Sequence, residues 1–274
     1  MSSELPPPFE IIRPAGRAIP VVAHVPHSST VIPTPERARL LLDDAALARE
    51  LVRMTDWHTD RLFSCAVDHG ATAFVHRRSR LVVDPERFAE ASREPMERRG
   101  QGAVYTRTSD GAPLRDLDPD GRATTIETMF WPYHRALSSL VTTQLGEAGH
   151  CTILDCHSFS TEPLPSELDQ SPGRPDICIG TDPHHTPQAL AAAMERACTD
   201  QGFRVRRDSP FDGALVPLDR YRSDMRVSAV MVEVRRGLYC DESTGEPSAA
   251  FEDVRAAIER ALVSAGLFDG TWAT

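Results

Sequence analysis

The sequence predicts an α/β domain: a three-layer sandwich in which a mixed, mainly parallel sheet carries helices on both faces. Six short β-type runs alternate with helical stretches, the order expected of such a sheet. Several of those runs also stop at a histidine or a carboxylate, and open α/β sheets bind ligands just outside the carboxyl ends of their strands. The length of 274 residues is enough for one large domain with a substantial core. Nothing in the composition forces a second, so residues 1–274 are read as one catalytic domain.

The strand-like runs are Ile19 to Val25, Thr72 to His76, Thr152 to Asp155, Asp176 to Gly180, Arg204 to Arg206 and Ser228 to Val234. Between the first two, Pro35 to Met54 carries Leu40, Leu41, Ala45, Leu47, Ala48, Leu51 and Val52 at helical spacing. Thr34-Pro35-Glu36 supplies that helix with an N-cap, a first-turn proline and an early acid. A second helical stretch is expected over Trp57 to Val67. Thr125 to Gly146, Thr186 to Gly202 and Ser248 to Gly266 read as helices that close at or near a glycine. Ala91 to Arg122 is rich in Arg, Asp, Gly and Pro and lacks periodicity, which predicts a long functional loop or lid. Ser160 to Pro175 is a second irregular stretch, and loops of this length beside a candidate site usually set selectivity. There is no internal repeat.

A formal charge of -10, with arginines and acids interspersed, argues against nucleic acid or an anionic membrane surface as partner. A small molecule is the expected ligand. The opening Met1-Ser-Ser-Glu-Leu-Pro-Pro-Pro lacks a basic and then apolar leader, and no stretch approaches a membrane span, so a cytoplasmic location is expected. The cysteines at 65, 151, 156, 178, 198 and 240 form no CxxC pair and are expected to be buried free thiols. Oligomeric state leaves no signal in the sequence.

Three distant segments carry the chemistry: Pro20-Val-Val-Ala-His-Val-Pro-His27-Ser-Ser, Cys151-Thr-Ile-Leu-Asp-Cys-His157-Ser and Ala229-Val-Met-Val-Glu233-Val-Arg235. In each, an apolar run stops at a polar group. With Thr55-Asp56-Trp57-His58, Ser79-Arg80-Leu-Val-Val-Asp84-Pro-Glu-Arg87, Tyr133-His134-Arg-Ala-Leu and Val232-Glu233-Val-Arg235-Arg-Gly-Leu-Tyr239, they resemble the N-formylglutamate amidohydrolase family over about residues 20 to 240. Six motifs in the family's order make the resemblance specific. It implies a fold like that of the zinc carboxypeptidases and aspartoacylase. It also implies a zinc-dependent hydrolase that cleaves an N-acyl amino acid, such as N-formylglutamate, to a carboxylate and a free amine, late in histidine degradation.

The residues fit that chemistry. A catalytic zinc takes three His, Asp or Glu ligands and keeps a fourth position open. His27 and His157, at two strand ends, can converge on such an ion, although either alone could be a buried histidine satisfied by a backbone carbonyl. Related carboxypeptidases place a glutamate three residues after the first histidine, where this chain has Thr30. Asp56, in the family's Thr-Asp-Trp motif, is the expected third ligand, with Asp60 one turn on as the fallback; Asp56 could instead cap the helix from Trp57. Glu233, a costly carboxylate on an apolar strand, is the expected general base, the role the resemblance also gives it; an ion pair with Arg235 or Arg236 is the simpler reading.

Asp155 could orient a ligand from the same side of its strand or serve a structural hydrogen bond, and His134 is either a donor to the site or simply packed. Arg87, Arg80 and Arg235 are the candidates to grip a substrate carboxylate, each equally able to be a solvated surface charge. Asp84-Pro-Glu-Arg87 departs from the family's Asp-Leu-Asn-Arg, so the amide donor beside Arg87 is lost and the substrate preference is open. Two other classes stay open: a cysteine hydrolase using Cys156 or Cys240, and a metal-dependent binding protein without catalysis.

Overall fold

A computed structural model describes residues 8–273 of the chain. Its strands are β1 (Phe9–Ile12), β2 (Val21–Val25), β3 (Thr72–His76), β4 (Cys151–Phe159), β5 (Ile177–Gly180), β6 (Val205–Arg207) and β7 (Val227–Arg235). They form one sheet in the order β1-β3-β2-β4-β7-β5-β6. Strands β3, β2, β4 and β7 run parallel, as do β5 and β6. Only the β1/β3 and β5/β7 pairs are antiparallel. This is the mixed, mainly parallel sheet that the alternation of runs predicts, and all six runs are strands. The sequence reading missed β1, a four-residue edge strand half-buried by turns, whose place is fixed by pairing to β3 far along the chain.

The helices are α1 (Thr34–Arg37), α2 (Asp44–Met54), α3 (Thr59–Leu62), α4 (Cys65–Asp68), α5 (Pro119–Thr125), α6 (Trp131–Ala148), α7 (Gln188–Asp200) and α8 (Phe251–Ser264). The single helix expected from Pro35 to Met54 is two pieces. Leu40 instead bridges Arg115, the Leu41 N–H donates to the Leu114 carbonyl, and Asp43 restarts the helix by accepting from the Ala46 N–H at 2.7 Å. The helix expected from Trp57 is likewise two short turns, α3 and α4, behind a left-handed His58. The long loop ends earlier than expected, because Asp118 caps α5 by accepting from the Gly121 N–H. A π turn at Ile126–Phe130 joins α5 to α6, and α6 ends at left-handed Gly149.

Both faces of the sheet are covered. Leu62, Phe63, Leu190, Met194, Ile258 and Leu262 from α3, α7, α8 and the turn after α3 pack on Val21, Ala23, Leu154, Val230 and Val232. On the other face, Tyr133, Leu137 and Val141 of α6 pack on Val22, Phe74, Ile153 and Ala229. Side chains alternate along a strand, so each central strand feeds both cores. Ile153 is fully buried in the α6 core, and its truncation leaves a void that neighbours held by the sheet cannot fill. Ile153→Ala should therefore cost about 2–5 kcal/mol in urea unfolding monitored by circular dichroism.

Candidate active site

On the α6 face, the four parallel strands change character together. Val22 gives way to His24, Phe74 to His76, Ile153 to Asp155 and His157, and Ala229 to Met231 and Glu233. The period of two keeps these pairs on one side of the sheet, so the apolar core ends and a polar site begins on a single surface. The β4/β7 ladder puts His157 directly beside Glu233. A cavity of about 490 Å³ opens over these positions.

His27, two residues past β2, and His157 meet there with ring centroids 5.1 Å apart. His157 Nδ1 is 3.1 Å from Asp56 Oδ2, and His27 Nδ1 is 3.7 Å from the same oxygen. Asp56 is therefore not a helix cap; it accepts from the Ser158 N–H at 3.2 Å and stands between the two histidines. Burial opposes its charge, but the neighbouring His157 and His27 outweigh that and hold its carboxyl well below the usual range. His157 behaves as the mirror case: burial disfavours its cation, while the charges of Glu86 and Asp155 raise its pKa well above the ordinary value.

Glu86 is the residue that sequence reasoning misplaced. Read as the loss of an amide donor, it in fact brings Oε2 to 3.0 Å from His157 Nε2 and 3.7 Å from His27 Nδ1. His27, Glu86 and His157 form a compact set able to hold a metal ion, and His24, Glu86 and Asp155 form an adjoining one. His24 was also overlooked. It sits inside β2, fully buried, between Asp155 Oδ1 at 2.7 Å and the Tyr133 hydroxyl at 2.5 Å. Its sequence signal was the two-residue step from Val22, which puts it on the face of the site.

Asp155 does share the His157 side of β4, 3.1 Å from its Nε2, and also accepts from the Leu215 N–H at 2.8 Å. Glu233 is buried, and its Oε2 has no hydrogen-bond partner among the described residues. Burial pushes its pKa up to about 7; the His157 charge opposes this, and those of Asp56 and Glu86 add to it. Neither Arg235 nor Arg236 pairs with it: Arg235 is bound to Asp176, and Arg236 donates to the Thr55 carbonyl. Arg235 is accordingly drawn away from the cavity, whereas Arg236 lines it. That is a correction to the expected set of carboxylate binders, and its cause is the Asp176 partner contributed by the residue just before β5.

Arg80 and Arg87 do line the cavity. Arg80 donates to Asp84 Oδ2 at 2.8 Å and lies 3.7 Å from Asp56. Asp84, fully buried, also receives the Tyr105 hydroxyl at 2.5 Å and His27 Nε2 at 2.9 Å, with Arg87 Nε 3.7 Å away. Arg87 Nε has no hydrogen-bond partner among the described residues. His134 Nε2–H donates to the Pro85 carbonyl, 2.9 Å away, and burial lowers its pKa to about 4. Asp60, the fallback ligand, instead pairs with Arg77 at 3.1 Å on a part-exposed surface and is absent from the cluster. The two irregular stretches reach the cavity through Tyr105 and Leu164, as loops beside a site should. All six cysteines are buried free thiols, and burial raises the pKa of Cys156 well above its usual value and of Cys240 to about 11, which disfavours the thiolate of each.

Fold and site thus define an α/β protein with a buried histidine and carboxylate centre at the carboxyl ends of its parallel strands, the arrangement of a hydrolase with a candidate metal site. The chain belongs to the N-formylglutamate amidohydrolase family, whose model matches residues 19–240. It is 28% identical over 232 residues to a Pseudomonas aeruginosa protein named N-formylglutamate deformylase, covering 82% of this chain and 83% of that one. A Pseudomonas putida protein of the same name is 25% identical over 248 residues, 86% of each chain. The crystal structure of N-formylglutamate amidohydrolase from Ralstonia eutropha JMP134 superposes with a TM-score of 0.82 over 96% of this chain and 97% of that one; at 23% identity it shows a shared fold.

Asp84 is fully buried and holds four partners, so Asp84→Ala strands two guanidinium groups, a phenol and an imidazole at once. The variant should lose roughly 3–5 kcal/mol of stability, read from its urea midpoint at unchanged m-value.

Proposed function

We propose that the chain is a zinc-dependent amidohydrolase that releases the acyl group, formyl first among them, from an N-acyl amino acid. N-formylglutamate is the substrate in the names of both Pseudomonas relatives and is the first compound to assay. The observation that carries the reading is Glu233: a buried carboxylate with a free oxygen, poised near neutrality, beside a histidine on the next strand. A carboxylate is expensive to bury without a partner, and a group with this pKa can both accept and return a proton at neutral pH.

The donor set fits a zinc ion. His27 Nδ1 is buried without a partner and faces two carboxylates, and a surplus of buried acid surrounds both histidines. His27, Glu86 and His157 would hold the ion, with Asp56, 3.1 Å from His157 Nδ1 and 3.7 Å from His27 Nδ1, as the alternative oxygen donor. When bound, zinc supplies Lewis acidity toward the acyl carbonyl and acidifies water. The residues of the chain do the rest. Glu233 takes a proton from the attacking water as its oxygen bonds to the acyl carbon and the carbonyl π pair moves onto oxygen. Arg80 and Arg87 both line the cavity; Arg80, beside Asp56, would steady that oxyanion, and Arg87 would take the substrate carboxylate. Collapse of the tetrahedral carbon breaks the C–N bond, and Glu233 delivers its proton to the leaving nitrogen. Formate and a free amino acid result from an N-formyl substrate.

Asp84 Oδ1, at 2.9 Å, fixes His27 Nε2 and so leaves Nδ1 to face the centre, the role that an outer carboxylate plays for a metal-bound histidine. His157→Ala should lose metal: elemental analysis of protein dialysed against buffered zinc is expected to give well under one ion per chain, and full occupancy would remove His157 from the ligand set. Glu233→Gln keeps the shape but cannot accept a proton. Its turnover in a formate-release assay should fall about a hundredfold or more with zinc still bound. Near-normal turnover in that variant would reduce Glu233 to a structural residue and favour a metal-dependent binding protein.

A further inference from the structure

His24 has no part in the reaction proposed above, yet it is placed as a ligand would be. It is fully buried inside β2, with Nδ1 2.7 Å from Asp155 Oδ1 and 3.6 Å from Glu86 Oε1. The three residues make a set able to hold a metal ion, beside the set of His27, Glu86 and His157. Glu86 belongs to both sets and divides its oxygens between them. Its Oε1 faces His24, while Oε2 faces His27 Nδ1 at 3.7 Å.

Hydrogen bonding accounts for only part of this arrangement. His24 and Asp155 are within bonding distance, but 3.6 Å from Glu86 Oε1 to His24 Nδ1 is too long for a hydrogen bond. It is instead the spacing of two donors on one ion, because ligands each about 2.1 Å from a tetrahedral zinc stand about 3.4 Å apart. Glu86 Oε2 and His27 Nδ1, at 3.7 Å, repeat that spacing on the other side. Seating an ion between His24 and Asp155 requires that pair to open by less than about 1 Å.

The atoms of these ligands that face away from the centre are already held. The Tyr133 hydroxyl meets His24 Nε2 at 2.5 Å, and as both donor and acceptor it serves the tautomer that leaves Nδ1 a lone pair. Asp155 Oδ2 accepts from the Leu215 N–H at 2.8 Å, which leaves Oδ1 to the centre. The Glu86 N–H donates to Asp84 Oδ1 at 3.0 Å, so one carboxylate fixes both Glu86 and His27. Charge points the same way. In the ion pairs among the described residues, Glu86 and Asp155 face histidines alone, so a dication would meet two carboxylates that no arginine there neutralises. Both also line the cavity, which gives an ion its way in, while His24 closes the set from behind.

We propose that the chain holds a second divalent ion, bound by His24 Nδ1, Asp155 Oδ1 and Glu86 Oε1, with the Glu86 carboxylate bridging it to the first. One imidazole and two carboxylates suit a divalent first-row metal such as zinc. The proposal rests on the zinc reading above only for the ion with which Glu86 is shared. It sets a second Lewis acid at the floor of the cavity.

The test reads metal content, with zinc as the probe. Protein stripped by a chelator and dialysed against buffered zinc should carry two ions per chain by elemental analysis. Crystals of it measured at the zinc edge should show two anomalous peaks, one on either side of Glu86. Asp155→Asn keeps the shape and the acceptor for Leu215 but removes the charge, and His24→Asn removes the ring. Each should hold one ion, with an unchanged circular dichroism spectrum. If either variant fails to fold, the wild-type map decides by whether a peak lies at bonding distance from His24 Nδ1. A single ion in the wild type at saturating zinc overturns the second site and leaves the zinc hydrolase standing. No ion at all overturns both. Two ions, or none, in folded Asp155→Asn overturns the assignment of this ligand set.

Discussion

The parallel ladder between β4 and β7 is the constraint on which the site depends. It runs in unbroken register from Cys151 beside Val227 to Phe159 beside Arg235, with nearly every residue buried. Because side chains alternate, a slip of one residue would turn Asp155, His157 and Glu233 into the apolar core and bring Leu154, Cys156 and Val232 to the cavity. Burying three ionisable groups in that core would cost far more than the fold's margin of stability. The two apolar cores therefore fix the register, and the register fixes the chemistry.

From that ladder the polar network spreads outward. His157 touches Asp56, Asp155 and Glu86, His27 touches Asp84, and Asp84 gathers Arg80, Arg87 and Tyr105. Asp56, Asp84 and Asp155 are buried against their own preference and held ionised by neighbours rather than by solvent, whereas burial pushes Glu233 up to about 7. That contrast separates their functions. The strongly paired carboxylates are fixed anions suited to orienting histidines and a cation, whereas Glu233 has a labile proton because nothing adjacent pays its desolvation.

The loops complete a site whose frame is set by the strands. Tyr105 from one irregular stretch completes the Asp84 cluster, and Leu164 and Leu168 from the other form cavity wall. At Gly180, the end of β5, a side chain would meet the Gly213 carbonyl at 2.5 Å. Its absence lets the segment that carries Phe211 and Leu215 close over the strand ends.

The sequence by itself determined the sheet and its two covered faces, and set His157 and Glu233 on strands with His27 just past one, because hydrophobic period and strand-end polarity are local signals that survive in one dimension; Asp56 was marked only by its motif. It also marked both long loops that reach the cavity. What it left undecided was settled by contacts between distant residues. The expected long helix breaks because Leu40 and Leu41 pair with the loop near Leu114; β1 exists only by pairing with β3. Arg235 turns from the cavity to Asp176, and Asp60 to Arg77. Glu86, which as a motif departure signified only a missing amide, stands between two histidines once the chain folds. A charged side chain goes to whichever opposite charge is nearest in space, and only the tertiary structure determines which one that is.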